Sequence, residues 1–333
     1  MTMLFSLIIP IFNRPDEIDE LLESLSKQTY TASYEIVIIE DGSTVTCEHV
    51  IQKYIDLNVS YYFKPNSGPG DSRNFGMNVA KGDYFIILDS DCIIPSNYLQ
   101  IVDEELKTDF VDCFGGPDAA LDSFSNVQKA INFTMTSLLT TGGIRGGSEK
   151  LDKFQPRSFN MGLSKKAFEV SKGFGNIHPG EDPDLSIRLW KLGYKTKLIA
   201  KAFVYHKRRI DWNKFYTQVN KFGLARPILN SWYPEYSKIT FWFPSLFLLG
   251  FLISVLSLLL NFPYFLYFYI IYFLILFFTS FKQNKSIKIA FFSLVATFIQ
   301  FYGYGKGFLQ SYIKIHILKQ QAEIAFPKLF FKR

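Results

Sequence analysis

Tyr84-Phe85-Ile86-Ile87-Leu88 runs without a break into Asp89-Ser90-Asp91. Five apolar residues in a row, with no alternation, read as a strand buried on both faces, the kind found in parallel sheets covered by helices. Both carboxylates then emerge at the strand's C-terminal end, where open α/β sheets bind their ligands. Hard oxygen donors so placed suit Mg2+ or Mn2+, with room beside them for a nucleotide ribose. Working outward, short β-branched runs near 4–9, 35–40, 59–63 and 110–115 alternate with stretches of helical period near 15–28, 47–56, 70–80 and 96–106. That alternation predicts an α/β fold, a mixed and mostly parallel sheet with flanking helices. The apolar start, Leu4 to Ile11, has no basic residues ahead of it and is cut short by Pro10, Asn13 and Arg14, so it reads as a buried first strand and not a signal peptide.

The overall charge of +6 conceals unlike segments. Residues 1 to 200 hold 19 Lys or Arg against 27 Asp or Glu, and residues 201 to 238 hold 8 against 2. From Ile239 to Phe281 there is no charge at all, and residues 282 to 333 hold 9 basic residues against 1 acidic. A basic collar beside an apolar run reads as a membrane-surface anchor facing lipid, and argues against nucleic acid. A charge-free run of this length can cross the ~30 Å hydrocarbon layer twice at ~1.5 Å per residue. Asn261-Phe262-Pro263 supplies its turn. The next apolar segment, Ile289 to Gly305, is short for a span, and charge leaves open whether it crosses, re-enters or lies in the interface. Cys47, Cys92 and Cys113 form no CxxC pair and are odd in number, which fits a reducing, cytoplasmic setting for residues 1 to 238.

Further acidic and basic groups gather at the same sheet edge. Asp41 ends the second strand within Glu40-Asp41-Gly42-Ser43 and can accept hydrogen bonds from a base. Gly68-Pro69-Gly70-Asp71-Ser72-Arg73-Asn74 is a Gly-rich turn opening a helix, with Arg73 either turned to the ligand or held in a structural ion pair. Gly180-Glu181-Asp182 precedes another helix, so Asp182 is either its cap or a general base. His206 ends a strand directly before the basic collar, a place suited to a metal ligand.

In this order and spacing, Pro10-Ile11-Phe12-Asn13, Glu40 to Ser43, Gly68 to Asn74, Ala80-Lys81-Gly82, Asp89-Ser90-Asp91, Asn160-Met161-Gly162 and Gly180 to Asp182 resemble glycosyltransferase family 2 over residues 3 to 210. The resemblance implies a GT-A (Rossmann-like) fold and an inverting transfer from a nucleoside-diphosphate-sugar, a UDP-sugar first. It places Pro10, Phe12, Asn13, Asp41 and Arg73 with the donor, Asp89 at its ribose, Asp91 and His206 on Mg2+ or Mn2+, and Asp182 as catalytic base. Gln218-Val219-Asn220-Lys221-Phe222 is similar to the Gln-x-x-Arg-Trp element of processive synthases, with Lys and Phe replacing Arg and Trp. Glu181, Gln218, Lys221 and Phe222 are accordingly candidates for the acceptor.

The expected layout is a GT-A catalytic domain over 1–208, a basic amphipathic juxtamembrane segment over 209–238, a transmembrane hairpin over 239–281, and a third apolar segment with basic tail over 282–333. The expected activity is transfer to a hydroxyl of a lipid-linked or polysaccharide acceptor at the inner (plasma) membrane, with the catalytic domain cytoplasmic. The rival enzyme transfers sugar to a polyprenyl phosphate, an anion that needs no base. From other classes, a membrane transporter component lacks an intramembrane charge for an ion path. An inactive scaffold would not need the full set of carboxylates.

Overall fold

The computed structural model describes residues 3–141, 153–207 and 211–331. The expected boundary at 208–209 lies outside the described residues. The described residues hold ten strands: β1 (Phe5–Ile11), β2 (Tyr34–Asp41), β3 (Val59–Lys64), β4 (Tyr84–Leu88), β5 (Cys92–Ile93), β6 (Cys113–Gly115), β7 (Asp118–Ala119), β8 (Asn160–Ser164), β9 (Thr196–Leu198) and β10 (Val204–His206). Their α-helices are α1 (Pro15–Ser26), α2 (Glu48–Ile51), α3 (Pro69–Val79), α4 (Tyr98–Thr108), α5 (Asn126–Thr136), α6 (Leu138–Thr141), α7 (Lys165–Ser171), α8 (Glu181–Lys191), α9 (Trp212–Trp232), α10 (Phe243–Leu256), α11 (Tyr264–Asn284), α12 (Ile287–Tyr312) and α13 (Ala322–Ala325). The chain forms two compact units, neither of them contiguous: Met1–Ala119 with Gly147–His206 and Phe330–Arg333, and Ala120–Gly146 with Lys207–Leu329.

In the first unit a seven-stranded sheet runs β3-β2-β1-β4-β8-β6-β9. β3, β2, β1 and β4 are parallel, and β8 enters antiparallel to both β4 and β6. This is the mixed, mostly parallel sheet that the uninterrupted apolar strands predict. β1 shows why: Phe5, Leu7, Ile9 and Ile11 pack toward α1 and α4, while Ile8 packs with Met77 of α3 and Leu185 of α8. A strand covered on both faces needs apolar residues at every position. Asn160-Met161-Gly162 has a packing role here, since a Cβ at Gly162 would meet the Phe114 ring of β6 at 2.0 Å. Two expected elements are shorter than their patterns. The helix near 47–56 is a single turn at α2, continued by tighter bonds such as Lys53 N–H to Val50 O. The strand near 110–115 begins only at Cys113, because α4 runs on to Thr108.

The second unit is helical. Three stretches, Ile239–Leu260, Tyr264–Asn284 and Ile287–Ile317, are long and apolar enough to cross a membrane by length and composition. Asn261, in the left-handed region at φ 56°, makes the first turn. The third stretch is the most enclosed, 44% buried against 22% and 11%. α9 lies along α12 through glycine notches: a Cβ at Gly223 would meet Tyr304 O at 2.2 Å, and one at Gly307 would meet Asn220 O at 2.4 Å. α5 joins them through the Thr134 hydroxyl, 3.4 Å from both Ser293 O and the Thr297 hydroxyl. Large apolar side chains such as Leu249, Leu252 and Phe268 are more than half exposed, the outward pattern of helices that face lipid.

Candidate active site

A small second sheet, β5-β10-β7, builds one wall of the site. Its register sets His206 opposite Cys92 and Val204 opposite Asp118, so Asp91, His206 and Asp118 converge although more than a hundred residues separate the first from the second. His206 Nε2 lies 3.2 Å from Asp91 Oδ1, and Nδ1 lies 3.8 Å from Asp118 Oδ2. Phe159 stacks on the imidazole at 4.7 Å between ring centres and fixes its plane. The Asp91 carboxylate and His206 Nε2 face each other as a ligand pair that fits Mg2+ or Mn2+, with Asp118 on the far nitrogen of the imidazole. Ligand atoms of Asp91, Cys92 and His206 lie within 4.8 Å of one another, but the buried Cys92 thiol donates to Phe159 O at 3.4 Å. Asp118 was missed in the sequence. Gly115-Gly116-Pro117-Asp118 carries no pattern tied to a ligand, and only the β7–β10 pairing reveals its place.

Arg73 runs beneath the Asp89-Ser90-Asp91 turn. It is 3% exposed, and donates from Nη2 to Asp89 Oδ1 at 2.7 Å and from Nη1 to Glu181 Oε1 at 3.3 Å. Arg73 is thus a buried ion-pair residue, the structural reading, and its partner Asp89 is a third exposed at the strand end. Glu181 also accepts from His178 Nδ1 at 2.8 Å and from Gly180 N–H at 2.9 Å. Burial pushes the Glu181 carboxyl up, yet His178 and Arg73 outweigh it and hold it down at about 2. Burial also works against a charged His178, and Glu181 outweighs it to raise that imidazole above its ordinary value.

Asp182 differs from its neighbour. Burial, then the Glu181 charge, push its carboxyl up, against the pull of Arg73 and Arg157 and a hydrogen bond with the Ser158 side chain. Its Oδ1 is buried and has no hydrogen-bond partner among the described residues. Nor does Asp182 cap α8, whose N-cap is Gly180 with no side-chain bond.

Asp41 is 3% exposed and holds the Gly-rich turn from within: Oδ1 accepts from Lys64 Nζ at 2.6 Å and Ser67 N–H at 3.0 Å, and Oδ2 accepts from Gly68 N–H at 2.9 Å. Asn13, at φ 55°, accepts through its side-chain oxygen from Thr44 N–H at 2.8 Å and Val45 N–H at 3.1 Å. Those bonds tie the end of β1 to the loop after β2 and leave Phe12 half exposed beside them, with Pro10 partly covered within β1. Among the acceptor candidates, Glu181 belongs to the first unit and is saturated by His178, Arg73 and Gly180. Gln218, Lys221 and Phe222 lie on α9 in the second, where Phe222 packs against a cluster of Ile131, Met135, Phe215, Val219 and Ala296.

Residues 6–171 match the family model described as glycosyl transferase family 2. The glycosyltransferase GlyG of Streptococcus pneumoniae serotype 4 is 32% identical over 110 residues, which are 32% of this chain and 36% of that protein. The poly(ribitol-phosphate) beta-N-acetylglucosaminyltransferase TarS of Staphylococcus aureus is 35% identical over 102 residues, 29% of this chain and 18% of TarS. The chain therefore spans well under two thirds of the length of these curated relatives. Among solved structures, the mannosyltransferase PcManGT of Pyrobaculum calidifontis, in complex with GDP-Man and Mn2+, superposes with a TM-score of 0.54 at 13% identity, over 97% of this chain and 78% of that one. That likeness shows the fold.

Proposed function

Because this chain belongs to glycosyl transferase family 2, we propose that it is an inverting transferase that moves a sugar from a nucleoside-diphosphate-sugar, a UDP-sugar first, to a hydroxyl of a lipid-linked or polysaccharide acceptor. The observation that carries this reading is Asp182 Oδ1, buried and without a hydrogen-bond partner among the described residues, in a carboxyl whose proton affinity is raised. An acceptor hydroxyl must lose its proton as its oxygen attacks, and a carboxylate with a free lone pair and raised affinity is the group to take it. Glu181, locked on Arg73, places Asp182 and supplies the charge that raises it.

On the donor side, Asp89 would receive the ribose, Asp91 and His206 would hold Mg2+ or Mn2+ with Asp118 behind the imidazole, and Phe12 would meet the base. Asp41 acts on the donor through the turn it shapes. A divalent cation there supplies positive charge for the departing diphosphate. The three apolar helices fit a chain held at the inner (plasma) membrane with the catalytic unit cytoplasmic, on the side of the basic collar. Attachment to a bilayer raises the effective concentration of a lipid-linked acceptor.

The test is donor binding and hydrolysis by the purified full chain across UDP-, GDP- and other nucleotide sugars with Mn2+ or Mg2+. Binding of one nucleotide series with metal-dependent release of its sugar supports the reading, and absence of binding across the panel overturns it.

A further inference from the structure

Phe330 and Phe331 lie beyond the apolar helices yet belong to the catalytic unit. Phe330 forms an antiparallel bridge with Ile177, and Phe331 N–H donates to Asn176 O at 3.0 Å. The Phe331 ring lies against the Gly68 backbone, where an added Cβ would meet ring carbon Cδ2 at 2.4 Å, and its centre is 6.0 Å from that of His178. One aromatic side chain thus touches both the Gly-rich turn that leads to Arg73 and the loop that leads to Asp182.

That loop, 174–180, is anchored at its start by the buried Phe174 ring and at its end by His178. Asn74 grips its start, accepting from Phe174 N–H at 2.8 Å and donating to Phe174 O at 2.9 Å. Its end is held by His178 on Glu181 at 2.8 Å. Between those points, among the described residues, Ile177 is buried, Gly175 packs closely against Gly70 and Asp184, and the main-chain bond comes from the 330–331 segment. Loop residues joined to a scaffold by single bonds open locally at low free energy, and each added tie narrows the ensemble. A general base must also be held in a narrow geometry, because small displacements cost large factors in rate.

We propose that Phe331 is a positioning residue: its ring and backbone clamp the 174–180 loop against Gly68, so that Glu181 stays on Arg73 and Asp182 keeps its place. The inference rests on the reading of Asp182 as the base. Its physical half, the clamp, stands apart from that reading.

The experiment uses the full chain in detergent with Phe331→Ala and Phe331→Leu. Without nucleotide, amide exchange across 174–182 in Phe331→Ala is expected to rise about tenfold, while Phe331→Leu, which retains apolar volume, recovers most of the protection. With donor and acceptor, kcat of Phe331→Ala is expected to fall about tenfold, on the scale of a small misplacement, with affinity for UDP or GDP plus Mn2+ within about threefold of wild type. Unchanged exchange overturns the clamp, whatever happens to activity. Raised exchange with unchanged kcat overturns the positioning role. A wild-type chain without transfer for any donor sinks the reading of Asp182, and exchange alone then decides whether Phe331 clamps the loop.

Discussion

Glu181 and Asp182 begin one helix, yet Glu181 is gripped by His178 and Arg73 while Asp182 keeps a buried oxygen with no hydrogen-bond partner among the described residues. Asp182→Asn preserves size and removes the proton acceptor. Transfer to a hydroxyl acceptor should fall by at least ~10²-fold, the lower range for general-base catalysis, with nucleotide affinity retained. Single-turnover transfer measured beside nucleotide binding checks this. Retained transfer to polyprenyl phosphate by the variant would favour the rival enzyme, and loss of nucleotide binding would make Asp182 structural.

The opposed shifts of these neighbours predict a pH signature. The Glu181 carboxyl is depressed to about 2 from its ordinary 4.5, so its contribution to stability is full above about pH 4.5 and is lost as pH falls toward 2. His178 is raised, so its contribution is full below its ordinary 6.5 and is lost as pH rises through its folded value. The unfolding midpoint should therefore fall on both sides of mildly acidic pH, and Glu181→Gln should flatten both limbs. Transfer should have an acid limb above the ordinary 3.8 of an aspartate, because Asp182 is raised. A profile identical in Glu181→Gln and wild type would contradict the pairing.

Metal dependence gives a third expectation. Asp91→Asn should abolish transfer with an unfolding profile near wild type, and excess chelator should do the same to the native chain. Asp118→Asn should weaken Mn2+ binding about 10–100-fold, the usual cost of removing a group behind a metal-bound histidine. Titration calorimetry or Mn2+ resonance reads this without any turnover. Full activity in excess chelator would remove the cation from the mechanism.

In the second unit, Gly223→Val places methyl groups where Tyr304 O and Phe308 N already stand. Overpacking of this kind costs typically ~1–3 kcal/mol, and the main chain on the far side cannot rotate out of the way. The variant should unfold at a clearly lower temperature in detergent. An unchanged midpoint would show that α9 does not seat on α12.

The sheet was readable because β4 is apolar at every position and β1 at all but Ser6, a pattern few other elements share. Asp89 and Asp91 were readable for the same reason, since they interrupt such a run at a strand end. Asp118 was not, because its meaning depends on the parallel pairing of β7 with β10, a contact between segments some 85 residues apart. The bonds that Asp41 makes with Lys64, Ser67 and Gly68 were hidden too: a strand-end carboxylate looks alike in sequence whether it faces a ligand or the next loop. Phe331 left no signal, for an aromatic residue in a basic tail has no period to betray a partner at Gly68.

The pairing of Phe330 with Ile177 also constrains membrane topology through parity. If the apolar helices cross a bilayer, a catalytic unit that keeps to one side of it requires an even number of crossings between residues 207 and 330, although three helices are long enough. A crossing pair made of α10 and α11 would satisfy that parity. Cysteines introduced at Asn261 and Lys319 should then label from opposite faces of sealed vesicles.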